Sequence, residues 1–566
     1  MPKFIAASHI MLALSLVGST ALAGPINPPP GPVAPTPGSE PRTPISDATT
    51  PGDATTLYRI ITPGSYYLTG NITGVPNKHG IEITASDVTL DLNGFGVIGT
   101  GGVTPFDGVV STGNITTRRV TVRNGTVRNW SRHGVHLQQA GSIFDVRSSD
   151  NLGDGITCTG SSCLVRECVA FDNAGTGINV GDGGVIAGCT SESNASGIKA
   201  LRGVSITNCA VRSNIDIGIS CGDNATLSGC TAIGCEISTG QFSVVRSCSV
   251  SFSPGSPAIA FSVGASSSLD LCTATGPTTG FLIQSGGVAN NCTALRCGNV
   301  GFNTVDSVTL RNCTARGVSS SNPNQVGFTA EGPATLEGCT ASGNLLHGFV
   351  FLNVVSRSAS TMRGCIASNN GSSGVGAGVL VEQEGLRIRD CVFEGNDHGI
   401  LANVSGGIAE LAVESCTIRA NNISGITANA STSVIDSTVS ANLEGLVLTT
   451  SCTIRGCTVN SNTNSGIRVG SANLVQNNMV SSNAEALAGT AGILVTGDDN
   501  RIEGNTLVSN AQNGIRLDAA GNLVIRNTLS RTGATITAVA GNRLAQIISN
   551  PASGFISTDP NANFTY

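Results

Sequence analysis

The side chains best suited to binding or catalysis are concentrated between residues 118 and 172. Arginine binds anions, histidine exchanges protons near neutral pH, and an indole ring stacks on flat ligands. Two neighbouring carboxylates repel each other unless a cation or a proton lies between them. The residues of this kind are Arg128, Trp130, Arg132, His133, Asp150, Asp154 and Asp172. Because they are spread over more than 40 positions, only a fold that brings distant positions together makes one site of them.

A cysteine that recurs about every 21 residues points to such a fold. Successive members are 18 to 26 residues apart, and Ser437 fills the one double-length gap. After Cys457 the same position is occupied by Asn478, Asn505 and Asn527. The recurring cysteines are Cys168, Cys189, Cys209, Cys230, Cys248, Cys272, Cys292, Cys313, Cys339, Cys365, Cys391, Cys416 and Cys457. Self-similarity at a fixed period indicates a repeat architecture.

Each repeat contains more than its cysteine position, which we call the slot. An apolar residue usually lies three positions before the slot and a small or apolar one two positions after it, as in Ile206, Cys209 and Val211. Asparagine lies five positions after the slot in 11 of the 17 later repeats, which is too often for chance. In most of those repeats a glycine and an apolar residue then follow, such as Gly177 and Ile178.

This pattern predicts short β-strands joined by tight turns. Alternation over a few residues is typical of strands, and a period near 21 is too short for a helical repeat or a propeller blade. It fits one coil of a parallel β-solenoid, with coils about 4.8 Å apart. Equivalent residues then stack in columns, and we expect asparagine and glycine to supply the positive φ angles of the bends. Roughly 20 coils between residues 85 and 530 would form a rod on the order of 95 Å long.

The repeat register also places the polar residues of the early coils. The slots of two of these coils lie at positions 125 and 146. His133 and Asp154 each fall eight positions after a slot, so we expect them to stack within ion-pair reach. Asp150 and Asp172 each fall four positions after a slot, and we expect them to be neighbours as well.

Three of the units resemble a known family of repeats. LVRECVAFDNAGTGINV, VSITNCAVRSNIDIGIS and RIEGNTLVSNAQNGIRL are similar to right-handed parallel β-helix repeats of the pectin-lyase-like superfamily. The resemblance covers most of residues 80–530 and implies an all-β fold, a right-handed parallel β-helix. It implies less about function, because this superfamily includes polysaccharide lyases, hydrolases, epimerases, phage tailspikes and adhesins.

The resemblance further implies roles for the polar residues. In several lyases of the superfamily, stacked carboxylates bind Ca²⁺ and an arginine or lysine abstracts the C5 proton of the sugar. On this basis Asp150 and Asp172 are candidate Ca²⁺ ligands. Arg128 or Arg132 is the candidate base or anion clamp of an acidic-sugar site, and Trp130 is its candidate stacking platform.

An ordinary solvated face is the alternative interpretation of these residues, and the one we favour. His133 and Asp154 are candidate ligand-binding residues, yet His133, His347 and His398 all directly precede the glycine of their repeat. Histidine at this position therefore indicates a turn preference. Trp130 would then pack beneath an N-terminal cap. Under this interpretation no cofactor is required, and Ca²⁺ is the one candidate ion.

The ends of the chain differ from the repeats. One lysine, an apolar stretch and the sequence Ala-Leu-Ala predict a secretory signal, and nothing later is apolar enough to span a bilayer. Open solenoid ends expose unpaired strand edges, so we expect a cap at each end. The predicted segments are a signal peptide (1–23), a Pro-rich linker (24–52), an N-terminal cap (53–84), the parallel β-helix (85–532) and a C-terminal cap or tail (533–566).

Composition narrows the classes of partner. The net charge of -6 gives no support for a nucleic-acid partner. One tryptophan and four tyrosines count against a sugar-processing cleft, which usually presents several aromatic faces. Nineteen cysteines would suggest disulfides in a secreted chain, but stacked equivalents have parallel Cβ directions. We therefore expect buried free thiols, with extra cysteines such as Cys158 and Cys163 able to close a short loop.

Two functional hypotheses from different classes follow. The favoured one is a non-catalytic β-helix protein, secreted or held at the cell surface or in the periplasm, that serves adhesion or glycan contact. It would be a monomer whose partner is a polysaccharide or cell-surface glycan. The alternative is a polysaccharide-active enzyme acting on uronate-containing glycans, with a pectate-lyase-like lyase favoured over a glycoside hydrolase. The first hypothesis predicts uniform coils, and the second predicts a groove with Ca²⁺ and a positioned arginine.

Overall fold

The chain winds into a right-handed parallel β-solenoid of about 23 turns. The computed structural model describes residues 41–566 except 114–116, 318–324, 353–358, 373, 404–409, 486 and 550–556. All regular elements in these residues are β-strands. Within the same residues no helix is long and apolar enough to cross a membrane. The predicted signal segment 1–23 and residues 24–40 of the predicted linker lie outside the described residues.

Each turn contains three short strands, and equivalent strands of successive turns form three parallel sheets. In one turn, Ile156–Cys158 belongs to the first sheet, Leu164–Arg166 to the second and Val169–Phe171 to the third. The chain then re-enters the first sheet at Thr176–Val180. Because side chains alternate along a strand, the central residue of a three-residue strand in the second and third sheets faces the core, as Val165 does. In the first sheet the two end residues do so, as in Val135–Leu137.

The strands of each sheet that matter for function lie in the early and middle turns. Those of the first sheet are Thr56–Ile60, His79–Ile83, Val109–Ser111, Val135–Leu137, Ile156–Cys158, Thr176–Val180, Ser196–Ala200, Ile219–Cys221 and Ile237–Thr239. Those of the second are Val88–Asp91, Leu164–Arg166, Val185–Ala187, Ala334–Glu337, Thr361–Arg363, Arg387–Arg389 and Ala412–Glu414. Those of the third are Gly96–Ile98, Val169–Phe171, Thr190–Glu192, Thr340–Ser342, Ile366–Ser368, Val392–Glu394 and Thr417–Arg419. Strands Thr121–Arg128 and Ser142–Ser149 run through the second and third sheets.

The solenoid extends further at both ends than the repeat pattern predicts. It begins before residue 85, because Thr56–Ile60 pairs in parallel with His79–Ile83. It continues beyond residue 532, because Ala534–Ala538 pairs in parallel with Asn513–Leu517. The prediction of roughly 20 coils is therefore too low. Both segments predicted as caps contain strands of the solenoid, and neither is confirmed as a separate unit.

Part of the predicted linker also belongs to the fold. Thr43–Pro44 pairs with Gly64–Tyr67 of the second sheet, and Ile45 is only 5% exposed. The high proline content led to the expectation of an extended spacer over residues 24–52. That expectation is wrong for residues 43–45, since an edge strand of two residues tolerates a proline.

A connection of two residues joins the second sheet to the third in every turn from Leu164–Arg166 to Leu523–Ile525. The first of the two residues has a positive φ angle, for example 55° at Glu167 and 53° at Ser415. The second is the slot, and its side chain points into the core, where Cys168 has no exposed surface. The invariant length of this corner explains why the residues around the slot keep fixed spacings.

The slot cysteines are buried free thiols, as their stacking predicts. Seventeen cysteines are free and buried. Within the slot column the backbone N–H of Cys365 lies 3.3 Å from Sγ of Cys391 in the next turn. Cys158 and Cys163, which lie outside the column, are joined by a disulfide that closes the predicted short loop. The column therefore acts as a stack of small apolar side chains.

The asparagines five positions after the slot form a buried ladder. Asn194 Oδ1 accepts hydrogen bonds from the backbone N–H of Asn173 at 3.0 Å and from Asn173 Nδ2 at 2.9 Å. The same pair of bonds joins Asn421 to Asn442, at 3.0 and 2.9 Å. These asparagines do not supply the positive φ angle of the bend, contrary to our expectation. The residue before them does so, for example Asp172 with a φ of 54°.

The repeated glycine has a different role from the one we expected. Gly177 does not have a positive φ angle. A Cβ atom there would lie 2.1 Å from Ser191 Oγ and 2.9 Å from the backbone oxygen of Gly197 in the next turn. The position therefore requires glycine because successive turns approach too closely for a side chain.

Five phenylalanines form an aromatic stack in the middle turns. Their ring centroids are 4.6 to 4.9 Å apart and their planes are within 12° of parallel. The stacked residues are Phe261, Phe281, Phe302, Phe328 and Phe349. In these turns the asparagine ladder is interrupted, with Ser253, Pro277 and Cys297 at the fifth position after the slot. One stabilising column thus replaces another along the solenoid.

Candidate functional site

The polar residues of the early turns lie in one column at the start of the first sheet, directly before the glycine of each turn. We call this the pre-glycine column, and its early members are His79, Asp107, His133, Asp154 and Thr176. The side chain of each of the first four members accepts the backbone N–H of the next member. From the first residue to the last, the four donor–acceptor distances are 3.0, 3.0, 2.9 and 2.8 Å.

This contact accounts for histidine in the column. His347 Nδ1 accepts the N–H of Ala377 at 3.0 Å, and His398 Nδ1 lies 2.7 Å from the hydroxyl of Ser424. An imidazole nitrogen that accepts an N–H has no proton of its own, so the neutral ring carries its proton on Nε2. The turn preference inferred from the sequence therefore has a physical cause, which is the need for an acceptor at this position.

His133 and Asp154 are neighbours in this column, as the repeat register predicts. His133 Nδ1 accepts the N–H of Asp154 at 2.9 Å and lies 3.9 Å from its Oδ2 atom. Asp154 Oδ1 accepts the N–H of Thr176, and its Oδ2 accepts a hydrogen bond from Asn179 at 3.0 Å. Both side chains therefore contribute to contacts between turns.

Asp107 is the central residue of the cluster, and the sequence reasoning missed it. Its side chain has no exposed surface. Arg132 approaches it with two donors, Nε at 2.6 Å from Oδ1 and Nη2 beside Oδ2. The available signal was the dipeptide Asp107-Gly108, which stands in the same position as His133-Gly134. It was overlooked because this turn has no slot cysteine and no ladder asparagine.

The electrostatics of the cluster favour a charged Asp107 between neutral histidines. Burial alone would raise the pKa of Asp107, but contacts with His136, Arg132 and the N–H of His133 outweigh burial and hold the pKa well below its usual range. Burial lowers the pKa values of His79 and His133, although the charge of Asp107 opposes this shift. At neutral pH the cluster therefore contains the Asp107–Arg132 ion pair and neutral imidazoles at His79 and His133.

His136 has a buried ring nitrogen with unused hydrogen-bonding capacity. It lies in Val135–Leu137 and is about 20% exposed. Its Nδ1 atom is buried without a hydrogen-bond partner, 3.6 Å from Asp107 Oδ2. Its ring meets that of His133 edge-on, with the centroids 5.3 Å apart. A carboxylate beside one imidazole nitrogen can orient the ring and leave the other nitrogen free to exchange a proton.

A metal ion fits this cluster poorly. Asp107, His133 and His136 each offer a ligand atom, and the three atoms lie within 4.8 Å of one another. However, the lone pair of His133 Nδ1 is occupied by the N–H of Asp154, and Arg132 already neutralises Asp107. A metal would have to displace contacts that hold adjacent turns together.

The other predicted site residues lie at a different edge, where the third sheet ends. Arg128 is opposite Ser149, which is in turn opposite Phe171. Asp150 and Asp172 directly follow these residues, so the two carboxylates stack on adjacent turns. All three charged side chains are exposed, and no ion pair between described residues includes any of them. The short connection that contains Trp130, between Thr121–Arg128 and Val135–Leu137, separates this edge from the pre-glycine column.

The stacked Asp150 and Asp172 carboxylates have the oxygen atoms that Ca²⁺ prefers. They supply few of the roughly six to eight oxygen ligands that Ca²⁺ takes. Asp150 Oδ2 also accepts the hydroxyl of Ser149 at 2.7 Å. Ca²⁺ at this edge therefore stays a prediction.

A comparison of the sequence with protein-family models identifies the same fold. A family model described as the right-handed β-helix region matches residues 107–253, 267–410 and 402–551, which is more than half of the chain. The chain belongs to the right-handed β-helix family. No curated protein matches it in sequence.

Several solved structures resemble this β-helix. The periplasmic alginate epimerase AlgG is 12% identical, with 60% of this chain and 78% of that chain covered and a TM-score of 0.30. The mannuronan C-5 epimerase AlgE4 A-module of Azotobacter vinelandii is 13% identical, with 85% and 90% covered and a TM-score of 0.19. Pectate lyase Pel9A is 14% identical, with 63% and 72% covered and a TM-score of 0.15. Similarity at this level supports no transfer of activity.

Trp130 belongs to the interior of the β-helix. It is 3% exposed, and its Nε1 donates a hydrogen bond to the backbone oxygen of Val97 at 3.1 Å. Its ring packs among the glycines of neighbouring turns, including Gly74 and Gly108. Trp130 is therefore a core residue and not a stacking platform, because its position five after the slot faces inward.

Proposed function

We propose that this β-helix is an extracytoplasmic, non-catalytic module that contacts glycans through its first sheet. The observation that carries the proposal is the use of the polar cluster within the fold. Arg132 is bound to Asp107, and His133 and Asp154 accept backbone N–H groups of the next turn. Trp130 is buried. Arg132, predicted to act in catalysis, and His133 and Asp154, predicted to bind a ligand, thus already serve to hold turns together.

Glycan contact is supported by a row of polar side chains next to the pre-glycine column. The register runs through Thr157, Asn179, Lys199, Ser220 and Ser238 on successive turns. Thr157 is buried, whereas Asn179, Lys199, Ser220 and Ser238 are partly exposed. Hydroxyl, amide and ammonium groups repeated about every 4.8 Å can bond the hydroxyl groups of an extended sugar chain.

A glycan array probed with the chain lacking residues 1–23 tests this function. We expect binding of at least one polysaccharide without formation of new reducing ends or unsaturated products. Lys199→Ala should weaken binding, while Arg212→Ala, which removes an exposed charge from the third sheet, should not. The proposal fails if no glycan on the array binds or if the bound glycan is converted.

A second candidate function is favoured by His136. Its Nδ1 beside the Asp107 carboxylate is the arrangement of an oriented general base. In a lyase acting on uronate-containing glycans, the base takes the C5 proton, the C4–O bond breaks and a C4=C5 double bond forms. The leaving oxygen then takes a proton. His136 suits the role of base better than Arg132, since Arg132 is held in an ion pair with Asp107 through its Nε and Nη2 donors.

The lyase candidate is tested by the ultraviolet absorbance of unsaturated uronates. Polygalacturonate and alginate are each incubated with the protein in Ca²⁺ and in chelator. Activity should disappear in His136→Ala. If the edge with Asp150 and Asp172 binds the ion, Ca²⁺ dependence should disappear in the double variant that carries Asp150→Asn and Asp172→Asn. No absorbance change on either polymer would exclude this candidate and leave the non-catalytic function in place.

The location and assembly of the protein are also proposals. The apolar leader and Ala-Leu-Ala sequence at residues 1–23 support export, to the surface, the periplasm or the medium. N-terminal sequencing of the protein from fractionated cells should find a mature chain that begins at Gly24. Light scattering of that chain should give the mass of a monomer.

A further inference from the structure

The second sheet has a charged depression that the proposed glycan row on the first sheet does not include. It has a volume of about 420 Å³ and spans the strands from Ala334–Glu337 to Ala412–Glu414. It lies between two columns of outward-facing side chains on successive strands of this sheet. Its lining side chains with charge are Glu337, Arg363, Arg387, Arg389 and Glu414.

Arg387 is the unbalanced charge of this depression. Arg389 is 2.5 Å from Glu414, Arg363 is 3.2 Å from Asp390, and Glu337 is 2.9 Å from Arg311. Arg387 forms no ion pair with a described residue and is exposed. The depression therefore presents a free guanidinium on a chain whose net charge is -6.

The shape of the depression follows from the residues on either side of Arg387. In its column the register runs from Thr361 to Arg387 and then to Ala412. The short side chain of Ala412 leaves open the space beside the guanidinium. Met362 and Ile388 also border the depression, but their side chains are buried in the core. An anionic group of a ligand can therefore reach Arg387 through the space beside Ala412.

We propose that this depression binds a carboxylate of an acidic glycan, with Arg387 as the principal ligand. A guanidinium binds a planar carboxylate through two parallel hydrogen bonds, which a neutral hydroxyl group cannot match. No aromatic ring lines the depression, so recognition rests on charge and not on stacking. The inference rests on the proposed glycan-contact function and adds the chemical class of the glycan and a second contact surface.

Polygalacturonate and its fully methyl-esterified form are the matched ligands for the test. They share a backbone, and only the first carries free carboxylates. Calorimetry with the chain lacking residues 1–23 should show binding of polygalacturonate that weakens as salt rises, and much weaker binding of the ester. Arg387→Gln should reduce affinity for polygalacturonate by roughly tenfold, the effect expected for loss of a charge-assisted bond.

Two further variants separate the depression from general electrostatics. Arg246→Gln removes an exposed second-sheet arginine elsewhere and should leave affinity unchanged. Ala412→Leu fills the depression without changing charge and should weaken binding as much as Arg387→Gln does. Leu474 occupies the same column in a later turn, so leucine suits the strand there.

The outcomes distinguish this inference from the function on which it rests. If no glycan binds at all, the glycan-contact function itself fails. If glycans bind but Arg387→Gln and Ala412→Leu bind as well as the unaltered chain, only the second-sheet site is overturned. Equal affinity for polygalacturonate and its methyl ester would likewise overturn it, since carboxylate recognition is its basis.

Discussion

At the scale of single residues, this β-helix uses polar side chains chiefly as acceptors for its own backbone. Asp107, His133 and His347 differ in charge and size, yet each accepts the backbone N–H of the next turn. A buried N–H without a partner would cost about 1–3 kcal/mol. The pre-glycine position therefore requires a side chain that places a lone pair beside this N–H. This explains why residues typical of active sites recur along a structural column.

The clearest test at this scale is the pH dependence of His347. It is 7% exposed, and burial lowers its pKa to about 4. Because the folded pKa lies below the unfolded value, its contribution is present above pH ~6.5 and lost as pH falls towards 4. The loss should be on the order of 3 kcal/mol.

Denaturant unfolding at several pH values measures this effect. In His347→Asn an amide oxygen that does not titrate takes the place of the acceptor, and asparagine already occurs in the same column at Asn513. The variant should lose less stability than the unaltered chain between pH ~6.5 and 4. Parallel pH profiles of the two proteins would show that His347 is not the titrating group.

The thiols give a second test at the scale of residues. Burial raises the pKa of Cys221 and of Cys297 to about 12, and the other free cysteines are buried too. We expect almost no reaction with a thiol reagent in the native state, since the thiolate is the reactive form. In denaturant without reductant, 17 thiols should react, and all 19 after reduction of the disulfide. Rapid reaction of several native thiols would contradict the buried column.

At the scale of elements, the strands are too short to be stable alone and depend on the columns that connect them. The asparagine ladder, the slot column and the phenylalanine stack each join equivalent positions of successive turns. A strand of three residues has few backbone bonds of its own, so most of its stability comes from the strands above and below. Removing one residue of a column should therefore weaken its own turn and the turns on both sides of it.

Asn442 provides the corresponding prediction. Its Oδ1 accepts two bonds from Asn421, and its N–H and Nδ2 donate to Asn462. Asn442→Ala should lower the free energy of unfolding by about 2–4 kcal/mol, because it leaves buried polar groups without partners. Asn422→Ala is the control, because Asn422 directly follows Asn421 and is exposed. It should change stability by less than about 1 kcal/mol. Equal effects of the two variants on denaturant unfolding would refute the ladder's contribution.

The sequence predicts the elements well wherever a side chain repeats. Cysteine at the slot and asparagine five positions later mark the corner and the ladder in most turns. The residue with the positive φ angle was not predicted. It is the variable residue just before the slot, such as Glu167, or just before the asparagine, such as Asp172. Asp107 was missed because its turn has neither a slot cysteine nor a ladder asparagine that would place Asp107-Gly108 in the register of the repeat.

At the scale of the whole molecule, about 23 turns share one continuous core. At about 4.8 Å per turn the rod is on the order of 110 Å long. Each turn contacts chiefly the turns next to it, so stability is close to a sum over neighbours. The molecule should therefore tolerate the loss of one complete turn better than the loss of a fraction of one.

Two deletions test this expectation. A variant without residues 438–457 joins Ser437 to Thr458, which is the partner of Thr438 in the next turn. It keeps every column in register, and its circular dichroism and cooperative unfolding should resemble those of the full chain. A variant without residues 438–447 shifts the columns against one another and should become sensitive to proteolysis in this region. Similar behaviour of the two variants would argue against register as the source of stability.

The corner of two residues between the second and third sheets has a practical consequence. It is the same in every turn from Leu164–Arg166 to Leu523–Ile525, whereas the passage from the first sheet to the second takes residues 431–432 in one turn, 159–163 in another and 382–386 in a third. Variation in length is thus accepted at this passage. Foreign peptides grafted there at chosen turns would project from a rigid axis at multiples of about 4.8 Å. The chain is therefore suited to serve as a display scaffold with a built-in spacing.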